Sequence, residues 1–163
     1  MSLQEALDKL LPAFQRYYNI NKEDVEAPFV AEAVFQSHNE QYFLIKSARI
    51  SEANSNEFIY FYTADSITAD EVEELDKCAW ERGIGHVEPS YHHRNTDVAL
   101  IIIADKIDEE AKKRIRTIKH SQSYKFGLNG YSNYRLIALE LSTGQVAHNR
   151  QGQTLKKLVS NII

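Results

Sequence analysis

The sequence predicts an α+β fold, a mostly antiparallel sheet with helices packed on it, in the order α-β-β-β-α-β-α-β-(β)-α. Three observations predict it. Two capping boxes each open a run of apolar residues at helical spacing. Three runs rich in aromatic and β-branched residues are separated by short polar turns. A seven-residue run, Val98–Ala104, is apolar throughout.

Taken in order, Ser2 and Glu5 have capping-box spacing, and Leu3, Leu7, Leu10, Phe14 and Tyr17 recur on one helical face. A first helix is expected to about Tyr18. Pro12 lacks a backbone donor and should kink that helix or move its start. Phe29–Phe35, Tyr42–Ile50 and Phe58–Thr63 read as an antiparallel meander, with polar turns at 37–40 and 52–56. Thr68 and Glu71 open a second helix, with Val72, Leu75, Cys78 and Ala79 on one face, that Gly83 and Gly85 end after about Arg82. Val98–Ala104 reads as a central strand buried on both faces. Asp105 or Asp108 caps a short helix to about Ile118, and a loop is expected from Lys119 to Asn133. Arg135–Leu141 is a further strand and Ser142-Thr143-Gly144 a turn. Gln145–His148 returns as an edge strand, and Thr154–Ile162 closes the chain as a helix. No repeat or linker interrupts 1–163, so one domain is expected.

At 163 residues the chain buries roughly 70% of its unfolded surface and needs no metal or disulfide to fold. Its one cysteine, Cys78, excludes an internal disulfide and fits a reducing compartment. No apolar run approaches the roughly 20 residues that span a bilayer. The N-terminus lacks a secretory pattern. A cytoplasmic protein with no membrane partner is expected.

The net charge of −4 hides a division. Residues 1–105 carry 8 basic and 19 acidic side chains, whereas residues 106–163 carry 11 basic and 4 acidic ones. Seven carboxylates lie between Asp65 and Glu81, and seven Lys or Arg with no Asp or Glu between Ala111 and Leu139. The two segments face each other or simply solvate two helices, or the second presents an anion-binding surface.

Few catalytic chemistries fit. His86-Val87-Glu88-Pro89 begins like a zinc-deaminase signature, but the paired cysteines that complete its ligand set are missing. His86, His92 and Asp97 stay open as ligands of a divalent ion, against a polar loop leading into a strand. Glu32, Glu40 and Glu57 are the carboxylates to test for metal-assisted phosphodiester cleavage. Glu57-Phe58-Ile59 has isoleucine where an E-x-K motif needs lysine, and Glu110-Ala111-Lys112 has the spacing on a helix. Cys78 lies on an apolar helix face, where an inert thiol is expected. Phosphate-loop, dinucleotide and G-x-S-x-G motifs are absent, so no cofactor is implied.

The basic helix and the segment after it form the candidate binding surface: Lys112, Lys113, Arg114, Arg116, Lys119, Tyr124, Lys125, Tyr131 and Arg135. Cations neutralise phosphates and aromatic faces stack on bases; the same side chains also suit a protein interface, or simply anchor a structured loop. The first six elements resemble in order the restriction-endonuclease-like PD-(D/E)xK core, which gives no function by itself. The run Ser121 to Gly130 with Tyr134-Arg135-Leu136-Ile137, together with Glu40-x-Tyr42-Phe43-Leu44 and Tyr17-Tyr18-Asn19-Ile20, resembles a family of small uncharacterised bacterial proteins without assigned activity. That resemblance implies no catalytic residue. The expected function is therefore a non-catalytic binding or interaction module centred on 112–135. Its partner is a second copy, as a homodimer, or an anionic molecule such as nucleic acid. The alternative is a metal-dependent nuclease or phosphodiesterase with a rearranged carboxylate site.

Overall fold

The computed structural model describes residues 1–36, 54–87 and 93–163. The expected strand Tyr42–Ile50, Glu40 and His92 lie outside these residues. Helix α1 spans Leu3–Leu10 and starts at a complete capping box: Ser2 Oγ accepts the Glu5 N–H, and the Glu5 carboxylate accepts the Ser2 N–H at 2.6 Å. It ends well short of Tyr18. Pro12 enters a 3₁₀ turn, Leu11–Phe14, near its start, where a missing donor costs nothing.

The strands are β1 Asn19–Asn21, β2 Ala31–Gln36, β3 Asn54–Ile67, β4 His93–Ile107, β5 Ser121–Ser123, β6 Tyr131–Glu140 and β7 Val146–His148. They form one sheet in the order β1-β2-β3-β4-β6-β5, with β7 also on β6. Four strand pairs are antiparallel, whereas β3–β4 and β4–β6 are parallel. The sheet is thus mostly antiparallel by pairing, with a parallel centre. Helices α2 (Ala69–Ile84) and α3 (Glu109–Thr117) make that centre parallel by carrying the chain back to the end where it started. A 3₁₀ turn, Gln151–Leu155, leads into a terminal helix α4, Lys156–Ser160.

Strand β4 divides the core by alternation. Val98, Leu100 and Ile102 join Val72, Leu75 and Ala79 of α2 and Ala111 and Ile115 of α3 on one face. Ala99, Ile101 and Ile103 join Leu7 and Leu10 of α1 and Val159 of α4 on the other. All of Val98–Ala104 is inaccessible to solvent, as expected of a central strand. β4 runs beyond that apolar stretch at both ends, because polar residues continue its ladders with β3 and β6.

Along the outer side of β6, β5 pairs with its first residues and β7 with its last. Asn149 fills the gap between them. Its Oδ1 accepts the N–H groups of Leu136 and Gly152, and its Nδ2 donates to the carbonyls of Ile118 and Tyr134. The amide does the work of a missing strand residue. Gly152 is required beside it, since a Cβ there would lie 2.3 Å from the Leu136 carbonyl oxygen.

Candidate functional site

The basic helix is largely neutralised within the chain. Lys112 is buried: its Nζ donates to Glu140 at 3.0 Å, Glu109 at 3.1 Å and the Gln145 side chain at 3.0 Å. Glu140 also accepts the Ile107 N–H and the Thr143 hydroxyl, each at 2.6 Å. Burial opposes its charge, but these donors and Lys112 together hold its carboxyl below the usual range. The hydrogen bond to Glu140 raises the Lys112 ammonium in turn. Lys112 therefore ties α3 to the end of β6 from a buried position. Lys113 pairs with Glu110 at 3.2 Å, and Arg114 with Glu73 of α2 at 2.7 Å. Hence the acidic and basic segments meet along α2 and α3. Arg116, Lys119 and Lys125 are exposed with no carboxylate partner among the described residues.

The expected loop from Lys119 to Asn133 is instead a hairpin, because β5 pairs with the start of β6. Its tip is a 3₁₀ turn, Lys125–Gly127, with left-handed backbone at Lys125 (φ 46°), Phe126 (φ 55°), Gly127 and Gly130. Backbone bonds fix it: Tyr124 N–H to Gly130 O, and Asn129 N–H to Tyr124 O, both at 3.0 Å. The Tyr124 and Ser132 hydroxyls lie 3.0 Å apart. Phe126 is fully exposed, Leu128 is 76% exposed and Tyr131 47%. Phe126 is one of the aromatic residues that the sequence interleaves with cations here, but the candidate contacts Tyr124, Lys125 and Tyr131 include neither it nor Leu128. Their exposure depends on the two left-handed residues, which nothing in local composition announces for Lys and Phe.

The base of the hairpin is anchored to α2. His120 Nε2 lies 3.0 and 2.9 Å from the two carboxylate oxygens of Asp76. Its ring stacks on Trp80 at 5.2 Å and meets Tyr134 edge-on at 5.1 Å. Burial and the Asp76 carboxylate push the Tyr134 hydroxyl well above its usual range. Asp76 and His120 are 44 residues apart, so sequence spacing carries no sign of the pair.

Arg135 belongs to a second cluster, on the α1 face near the amino ends of the parallel strands. Its guanidinium donates to Glu57 Oε1 at 3.0 Å and Asp97 Oδ2 at 3.4 Å. Tyr18 donates to Glu57 Oε2 at 2.6 Å, Asn95 to Asp97 at 3.3 Å, and Ser55 to Asn95 at 2.7 Å. Glu57 and Asp97 are register neighbours on β3 and β4. Burial raises both carboxyls above their usual range, against the lowering pull of Arg135. One cation thus serves two half-buried anions.

Other singled-out residues lie apart from this cluster. Glu32 bonds Asn21 at 3.3 Å and, by alternation with Ala31 and Ala33, faces away from Glu57. His86 stacks on Phe58 at 4.4 Å, on the α2 face, with the sheet between it and Asp97. Cys78 is half-buried against the α2-side core. No group of three or more His, Cys, Asp or Glu among the described residues is placed to hold a metal ion. No helix of the described chain is long and apolar enough to cross a membrane.

The fold and these surfaces define an α+β fold with a hydrogen-bonded, partly apolar hairpin at one sheet edge. The chain belongs to the family described as a domain of unknown function, DUF8052, whose model matches residues 2–161. No curated protein and no solved structure matches it.

Proposed function

We propose that the chain is a binding module, one domain acting in the cytoplasm, that captures a protein partner with the β5–β6 hairpin. One observation carries this reading. Phe126 stands wholly in solvent on left-handed backbone, beside Leu128, in a turn held by its own hydrogen bonds. A non-glycine residue in that conformation costs roughly 1–2 kcal/mol, and an exposed ring recovers none of it within the fold. Aromatic and aliphatic side chains on a preorganised loop suit the buried centre of a protein interface. The wider surface from Lys112 to Arg135 contracts to this tip, which carries Lys125, with Arg116 and Lys119 the other exposed cations of that surface. The test is a photo-crosslinking phenylalanine placed at 126 and, as control, at exposed Gln153. A discrete adduct is expected from 126 alone, weakened by Leu128→Ser. Equal adducts from both positions, or none from 126, would overturn the reading.

A second reading rests on Glu57, Asp97 and Arg135. Two carboxylates on neighbouring strands beside a cation are what a metal-dependent nuclease or phosphodiesterase of rearranged site would need, and the element order resembles the PD-(D/E)xK core. Arginine stands where lysine would activate water, and it already occupies both carboxylates. Cleavage of a generic oligonucleotide in Mg²⁺ or Mn²⁺, abolished by Glu57→Gln and by Asp97→Asn, would establish it. Cleavage unchanged in both variants would remove it.

A further inference from the structure

We infer that the outer edge of β5 accepts an extended acidic strand of the partner protein, whose alternate apolar side chains rest on the hairpin tip. This rests on the reading of the hairpin as the contact surface and adds the mode and chemistry of capture. Ser121, Gln122 and Ser123 are all exposed and end the sheet on this side. Tyr124 turns both its backbone groups inward, accepting from Asn129 and donating to Gly130. Alternation along an antiparallel ladder then points the N–H and C=O groups of Ser121 and Ser123 outward, where a further strand would bond them. Sheet edges are ordinarily blunted by Lys, Pro, a bulge or a covering element. β7, on the same side of β6, has α3 and α4 against it. β5 itself carries no charge, no proline and no register shift.

Charge selects the occupant. Lys119 and Lys125 lie three residues either side of Gln122 and are exposed. A second copy pairing antiparallel about Gln122 would bring the Lys119 of each molecule to the Lys125 of the other, so like charges would meet at both ends. A strand bearing Glu or Asp opposite these lysines meets complementary charge instead. Apolar side chains on its other face meet Phe126 and Leu128.

Three fluorescein-labelled twelve-residue peptides test this by anisotropy: alternating Val and Glu, Val and Lys, and Val and Ser. The Val–Glu peptide is expected to bind at least ten-fold more tightly than the Val–Lys peptide. Ser123→Pro removes an outward donor and leaves the β6 ladder intact, so binding should fall at least ten-fold. Ser121→Pro serves if that variant misfolds. Lys119→Glu with Lys125→Glu should reverse the peptide preference. Val–Glu binding that survives both proline variants but is lost in Phe126→Ser would overturn strand addition and leave the binding-module reading standing. Equal binding of all three peptides, or none, would also overturn it, with the crosslinking result judging the hairpin separately. A concentration-dependent dimer in sedimentation, abolished by Ser123→Pro, would replace the acidic strand by a second copy.

Discussion

Phe126 has a backbone that glycine would adopt freely and a side chain that touches nothing in its own fold. Phe126→Gly should therefore raise the stability of the free chain by about 0.5–1 kcal/mol, the relief of left-handed strain less the added flexibility of glycine when unfolded. Urea midpoints of the two chains check this. Glu57 and Asp97 make a different prediction. Burial lifts both carboxyls, so the folded chain holds their protons more tightly than the unfolded chain does. Stability from these two groups is highest in acid and falls as pH rises from the ordinary carboxylate range through the raised one. Glu140 runs the other way: its lowered pKa contributes stability above the ordinary range, lost as pH falls through the folded value. Carboxyl carbon shifts followed by NMR in the folded and the urea-unfolded chain should show Glu57 and Asp97 titrating higher, and Glu140 lower, when folded.

At the scale of elements, the joint between β5, β6 and β7 is the point where small changes cost most. Asn149→Ala would leave the Leu136 and Gly152 donors without their shared acceptor in a buried place. A loss of at least about 2 kcal/mol is expected from urea unfolding. Gly152→Ala should cost more than Gly83→Ala. The new methyl at 152 meets a backbone carbonyl at 2.3 Å, whereas at 83 it meets the Val98 side chain at 2.4 Å, which a rotamer change can move. The sequence made the helix starts legible, because capping residues act within one turn: Ser2 with Glu5, and Thr68 with the Glu71 N–H. Val98–Ala104 was legible because a seven-residue apolar run has few other uses. β1 and β5 were not. Each is three residues long and largely polar, and takes its strand geometry from pairing with a neighbour and not from its own composition. The parallel pairing of β3, β4 and β6 was equally hidden, since apolar patterning fixes which face is buried but not the direction of a neighbour.

At the scale of the whole molecule, opposed charge along the chain becomes internal contact, through Arg114 with Glu73 and Lys112 with Glu140. Counting cations in sequence therefore overstated the basic surface. Each neutralised phosphate contributes about −0.9 to the slope of log affinity against log salt. With Arg116, Lys119 and Lys125 the uncommitted cations of the surface, a DNA oligomer should bind with a slope no steeper than about −3. A titration between 50 and 200 mM salt measures it, and a markedly steeper slope would mean that paired lysines and arginines are released to the nucleic acid. The part of the surface that sequence could mark was its charge and its tyrosines. The part it could not mark was the fold's own use of those charges, and the left-handed turn that thrusts Phe126 outward.

That turn also bears on how the family varies. A position that lowers stability and supports no neighbour has nothing inside the molecule to preserve it against mutational drift. Under the proposed binding role, members that have lost the partner are thus expected to carry glycine or asparagine at this position while keeping Asn149 and Gly152, and sorting sequences on that one site would test the proposal.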